Sequence, residues 1–171
     1  MSHVLYLVRH AIAEDISASG RDADRRLTAI GASKMRKVAA GLRALGATPD
    51  ALWTSPLQRA RQTAAILGDE LAVATQPNVR PELSPGHAPE GVIAKLTLVS
   101  QVRSVMLVGH EPNISELASL LLTGSPDGAL LPFKKGAVAA IELGSLPPRA
   151  QGKLLWFLTP KQLRSLSGNP A

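Results

Sequence analysis

The feature that most limits what this chain can fold into is an apolar run, Val4-Leu5-Tyr6-Leu7-Val8, that stops abruptly at Arg9-His10. Consecutive apolar residues rich in branched side chains suit a strand covered on both faces, as in a parallel sheet held between helices. Much further along, the pattern returns: Ser104-Val105-Met106-Leu107-Val108 runs into Gly109-His110. Open α/β folds gather their ligands at the C-terminal edge of such strands. Two strands therefore each deliver an imidazole to one edge of one sheet.

Between and beyond these runs, helical and extended patterns alternate. A polar loop, residues 11–26, carries Glu14, Asp15, Arg21, Asp22, Asp24, Arg25 and Arg26. Thr28 is a fitting N-cap for a helix reaching about Leu45, with Met35, Val38, Ala39, Leu42 and Leu45 on one face. Gly46 and Pro49 end it. A short strand over 51–54 leads into Ser55-Pro56-Leu57-Gln58, which reads as a capping box with Pro56 at the first helical position. That helix runs to about Leu71 and puts Arg59 in its first turn, among free backbone N–H groups. A cation there opposes the macrodipole, so an anion is expected beside it.

A weak strand is expected near Ala72–Thr75, a loop over 81–87 and a helix from about Pro89 to Val99. Asn113 with Glu116 is expected to cap the next helix, whose Leu117, Leu120 and Leu121 share a face. Strands over 137–143 and 153–158 and a short helix over 160–166 complete the pattern, and residues 167–171 are expected to be loose. The fold class is α/β: a three-layer α/β/α sandwich with a mostly parallel central sheet, in which the 137–143 strand, near the edge, runs antiparallel. One domain, 1–171, accommodates all of it.

Composition narrows the function. Cysteine is absent, which excludes disulfides, thiolate metal sites and a cysteine nucleophile. No apolar stretch approaches membrane-spanning length, and none suits a signal peptide, so a cytoplasmic protein is expected. The net charge of +6 allows nucleic acid or an anionic substrate, but only 3% of residues are aromatic, which argues against a base-stacking surface. No histidine pair has the spacing of a helical zinc motif, so no metal or cofactor is expected. His3 and His87 are expected at the surface, and Trp53 and Trp156 in the core.

Arg9, His10, Arg59 and His110 can then converge. Guanidiniums around a neutral imidazole are what phosphoryl transfer to histidine requires. They neutralise an incoming phosphoryl group, clamp its oxygens as charge develops, and disfavour protonation of His10. His110 can add a hydrogen bond to a phosphoryl oxygen.

These residues carry a resemblance. Leu7-Val8-Arg9-His10-Ala11 is similar to the Arg-His-Gly signature of the histidine phosphatase (phosphoglycerate mutase-like) superfamily, with alanine in place of the glycine. Ser55-Pro56-Leu57-Gln58-Arg59-Ala60-Arg61-Gln62-Thr63 resembles its second motif, and Val108-Gly109-His110 its third. The short chain, Arg25-Arg26-Leu27-Thr28, Pro81-Glu82-Leu83 and Leu158-Thr159-Pro160 fit best with the bacterial phosphohistidine phosphatase branch. The resemblance implies that His10 accepts the phosphoryl group and that water then hydrolyses the phosphohistidine. It implies that Arg9, Arg59 and His110 hold the phosphate.

Two further roles follow with alternatives open. Arg25 is either a secondary phosphate contact or a solvated loop arginine. Glu82 falls where larger relatives carry an acidic proton donor; its other reading is a loop anchor or helix cap. The basic cluster from Arg21 to Arg43 is a solvated face or a docking surface for an acidic partner. The short segment after Glu82 suggests an open pocket suited to a phosphorylated protein, such as a histidine phosphotransfer or phosphocarrier domain. A small-molecule phosphomonoesterase or mutase is the alternative. A non-catalytic phosphate-binding regulatory domain is a third reading, and neither nucleic acid nor membrane is an expected partner.

Overall fold

A computed structural model describes residues 2–168; the expectation for 169–171 lies outside the described residues. The strands are β1 (His3–Arg9), β2 (Ala51–Thr54), β3 (Asn78–Val79), β4 (Ser104–Gly109), β5 (Val138–Leu143) and β6 (Lys153–Leu158). The helices are α1 (Ala29–Ala44), α2 (Gln58–Glu70), α3 (Pro89–Lys95), α4 (Asn113–Thr123) and α5 (Pro160–Leu166). The strands form a single sheet in the order β3-β2-β4-β1-β5-β6. β1, β2, β3 and β4 are mutually parallel, and β5 is antiparallel to both β1 and β6. The 137–143 segment is thus the one reversed strand, next to the edge.

Two apolar layers flank the sheet. On one face Met35, Val38 and Leu42 of α1, Ala60, Ala64 and Leu67 of α2, and Leu163 of α5 pack on Tyr6, Val8, Met106 and Val108. On the other, Val92, Leu96, Ile114, Leu117 and Leu121 cover Leu5, Leu7, Val105 and Leu107. Alternate residues of the same strands feed opposite layers, which is why the β1 and β4 sequences are apolar without a break. The sandwich has the three layers its sequence implies.

Helix packing is close enough to require glycine at two points. A Cβ on Gly31 would sit 2.0 Å from the Ile12 carbonyl oxygen, and one on Gly41 would sit 1.9 Å from that of Leu163. The first seats α1 against the chain just after His10. The second seats α5 on α1.

Several local expectations are corrected. Helix α2 begins at Gln58, not Pro56, and has no side-chain cap. The Ser55 hydroxyl instead accepts the Leu57 N–H at 3.2 Å and meets His110. Residues 72–75 are not a strand. Ala72 adopts a left-handed φ of 52°, and bonds from Ala72 and Val73 N–H to Asp69 and Gly68 carbonyls close the end of α2. Pairing resumes only at Asn78 and Val79.

Asn113 is the first residue of α4 rather than its cap. Its amide holds the preceding loop, accepting from Gly86 N–H and donating to the His87 carbonyl. The 89–99 helix is α only to Lys95 and tightens to a 3-10 turn over Leu96–Val99. His3 is buried, because β1 starts one residue early, and its Nδ1 lies 2.7 Å from the Val102 carbonyl. His87 is exposed, Trp53 buried and Trp156 half-buried.

Candidate active site

Strand register builds the site. In the β1–β4 ladder Val8 lies opposite Val108 and Arg9 opposite Gly109, and the His10 N–H donates to the Gly109 carbonyl at 3.0 Å. The next residues, His10 and His110, therefore emerge side by side, with ring centroids 5.0 Å apart. Strand β2 brings Thr54 level with Val108 and releases Ser55 at the same height. Helix α2 then carries Arg59 back over the edge, where its Nε donates to His10 Nε2 at 3.3 Å. His10, Arg59 and His110 are all buried. Arg9 joins them as a neighbouring cation and is oriented by donating to the Phe133 carbonyl at 2.7 Å. The four residues singled out by their motifs come together at one edge of the sheet.

The imidazoles differ in tautomer. His10 Nδ1 faces the Ala11 carbonyl at 2.8 Å, and a carbonyl only accepts. The proton therefore sits on Nδ1, and Nε2 presents its lone pair. Around His110 the hydrogen-bond network assigns the reverse. Ser55 Oγ accepts from Leu57 and lies 2.8 Å from His110 Nε2; we assign the hydroxyl proton to that nitrogen, the one acceptor it meets among the described residues. That leaves the N–H on His110 Nδ1, buried and without a partner. Arg9 Nε is a second buried donor without one.

Both imidazoles are held neutral. Burial first, then the Arg59, Arg9 and Lys135 charges, pull His10 down to about 4, although its bond to the Ala11 carbonyl works the other way. Burial, then His10 and Arg59, pull His110 down to about 3, with Asp22 opposing. At neutral pH the site thus combines a lone pair that accepts from Arg59, an N–H donor and two guanidiniums. That set can attack a phosphorus atom and hold its oxygens.

Ala11, where the related motif carries glycine, is buried with an ordinary negative φ, and its N–H donates to Thr63 Oγ1 at 3.0 Å. Alanine fits because the backbone needs no left-handed conformation here.

A carboxylate of the protein itself lies beside Arg59. Loop 11–28 folds back on itself through the Ala13–Leu27 bridge, the Glu14 N–H to Arg26 carbonyl bond and the Thr28 N–H to Ile12 carbonyl bond. This lays the 3-10 turn Asp22–Asp24 over Arg59. Arg59 donates to the Asp22 carbonyl at 2.9 Å and to its carboxylate at 3.0 Å. Arg25 donates to the same carboxylate at 2.8 Å and to the Glu14 carbonyl at 2.7 Å. Those arginines hold the Asp22 carboxyl below its usual range.

Arg25 thus reaches the pocket through Asp22 and makes no direct contact with His10. Glu82 lies on the His110 side, lining a small cavity with Gly109, His110 and Asn113. One of its oxygens is 3.8 Å from Lys95 Nζ and the other is buried without a partner. Among the described residues no cluster of three or more histidine, aspartate or glutamate side chains could hold a metal ion.

Sequence reasoning named Asp22 only as a loop acid and Ser55 only as a cap. A carboxylate within reach of a motif arginine was the available signal for the first; for the second, a hydroxyl at the end of the neighbouring strand.

Comparison with known proteins gives the family. The family model described as histidine phosphatase superfamily (branch 1) matches residues 5–85. An uncharacterized protein of Picosynechococcus is 32% identical, across 93% of this chain and 98% of its own. The chain belongs to the histidine phosphatase superfamily. The phosphohistidine phosphatase SixA of Escherichia coli is 28% identical over 94% of this chain and 96% of its own. A structure of the protein histidine phosphatase SixA complexed with tungstate superposes with a TM-score of 0.82, at 28% identity, covering 94% and 99% of the two chains. The similarity places this member of the superfamily near SixA.

Proposed function

We propose that this protein is a metal-independent phosphohistidine phosphatase acting through a phosphohistidine intermediate. The observation that carries the reading is the tautomer of His10: its Nδ1–H is tied to Ala11, so the Nε2 lone pair faces the pocket beside Arg59. In the first step that lone pair forms a bond to phosphorus as the bond to the substrate nitrogen breaks. Arg59 exchanges its bond to Nε2 for one to a phosphoryl oxygen. Arg9 and the His110 Nδ1–H supply further donors, each of the kind worth roughly 3–4 kcal/mol of barrier. Water then attacks the phosphorus as the P–Nε2 bond breaks, its protons depart with the phosphate, and His10 returns to its neutral, Nδ1-protonated form.

The substrate class rests on two supports. The similar protein SixA is named for phosphohistidine. The loop between Leu83 and α3 is short, which favours approach of a phosphorylated side chain on a protein surface from that side. A histidine phosphotransfer or phosphocarrier domain in the cytoplasm fits that role, and among the described residues no helix is long and apolar enough to cross a membrane. Glu82 is assigned the proton donor for poorer leaving groups and Arg25 a secondary phosphate contact. Imidazole leaves more readily than an alkoxide, so Glu82→Gln is expected to slow alkyl phosphates about tenfold or more and phosphohistidine little.

The test compares kcat/KM on a phosphohistidine peptide with that on sugar and nucleotide phosphates. The proposal expects the peptide to be preferred. Preference for one small ester would instead assign a small-molecule phosphomonoesterase.

A further inference from the structure

Beside the reactive pocket, a groove of about 210 Å³ opens next to Ala11 and Ile12, the two residues that follow His10. It runs between α1 and α5. Met35, Val38 and Pro160 line it with apolar surface. Lys34, Lys135 and Arg164 supply three cations, and no acidic residue lines it. Among the described residues none of the three is in an ion pair.

A second cavity behaves differently. On the far side of loop 11–28, about 580 Å³ is lined by Glu14, Asp24 and Arg26 together, and Asp24 is paired with Arg21. There the protein neutralises its own charge. In the α1–α5 groove it does not, and like charges held around one concavity repel unless a counter-charge sits between them. The apolar lining offers nothing to a free inorganic anion, but it can pack against a polypeptide. Ala11 and Ile12, directly after His10 in the chain, line the groove, so it lies next to the reactive site.

We propose that this groove docks an acidic segment flanking the phosphorylated histidine of the protein substrate, a proposal that rests on the phosphohistidine reading above. Carboxylates of the segment pair with Lys34, Lys135 and Arg164 while its aliphatic parts lie on Met35 and Pro160. Two or three partly exposed pairs of this kind amount to roughly a tenfold preference, weakened by salt.

The experiment uses two phosphohistidine peptides, one with aspartate and glutamate flanks and one with neutral flanks, and an aryl phosphate as reference. The wild-type protein is expected to favour the acidic peptide about tenfold in kcat/KM at low salt, and much less at high salt. In Lys34→Glu/Arg164→Gln the preference should vanish while aryl phosphate turnover stays unchanged, which also shows the variant to be folded. Equal turnover of the two peptides by the wild type, or an undiminished preference in the variant, overturns the groove and leaves the phosphohistidine reading standing. Turnover of the aryl phosphate with neither peptide hydrolysed overturns that reading, and the groove proposal with it.

Discussion

Two strand ends, Leu7-Val8-Arg9-His10 on β1 and Leu107-Val108-Gly109-His110 on β4, are nearly the same peptide in the same sheet setting. They nonetheless present opposite faces of imidazole chemistry. His10 is locked by its neighbour's carbonyl so that a lone pair looks outward, and His110 is locked by a serine from β2 so that a proton does. Both are buried and neutral. The difference lies entirely in which acceptor or donor each ring meets, and it separates a nucleophile from a hydrogen-bond donor. Position in the sheet makes a residue available; the third atom in contact with it decides its role.

The largest expected effect comes from removing the lone pair. His10→Ala should lower kcat/KM on a phosphohistidine peptide by roughly four orders of magnitude or more, because it removes the lone pair that takes the phosphoryl group. Residual turnover near wild type would erase the distinction between the two rings. His110→Ala should cost about a hundred- to a thousandfold, the loss of one preorganised donor, and should still form the covalent intermediate slowly. Rapid-quench measurement of intermediate formation separates these two outcomes.

A subtler change tests the tautomer argument itself. Ser55→Ala removes the hydroxyl that fixes His110 and is expected to lower kcat about tenfold. A thermal melt should remain within a few degrees of wild type, since Ser55 caps no helix. Smaller again, Asp22→Asn should lower turnover about two- to fivefold, the worth of a partly exposed ion pair that positions Arg59 and Arg25. Its effect should shrink as ionic strength rises.

The pH profile is expected to report His10. Its value of about 4 means that activity holds steady from neutral pH down to about 5 and falls as Nε2 protonates below that. An ordinary histidine would already lose activity near 6.5. Stability moves in the same direction. With both imidazoles depressed in the folded protein, the unfolded chain binds more protons between about 6.5 and 4, so folding weakens as pH drops through that window. Denaturant titrations at several pH values measure this slope, and His10→Ala should flatten it.

Much of this was legible in the sequence, for physical reasons that differ by region. Strands β1 and β4 were readable because burial on both faces leaves an unbroken apolar run, and parallel register then places His10 beside His110. The reversed strand near the edge was readable too. Helix α1 announced itself through Thr28, whose side chain accepts the Gly31 N–H at 2.9 Å. The Ser-Pro-Leu-Gln string misled because a hydroxyl can cap a helix or orient a ring, and only the neighbouring strand decides between them. Residues 72–75 misled because a helix ending in a left-handed alanine looks, in sequence, like a short apolar strand. His3 looked like a terminal surface residue until strand pairing with β5 enclosed it. Asp22 was hidden because its contact with Arg59 depends on how a sixteen-residue excursion, about the length of loop 11–26, folds back, and such loop closure leaves no periodic trace.

The most direct test is to quench a reacting mixture, digest it and locate the phosphate. The expected result is acid-labile, base-stable phosphate on Nε2 of His10, absent from His10→Ala and still present in His110→Ala. Phosphate found on His110, or steady turnover with no phosphorylated histidine at any time, would contradict the account.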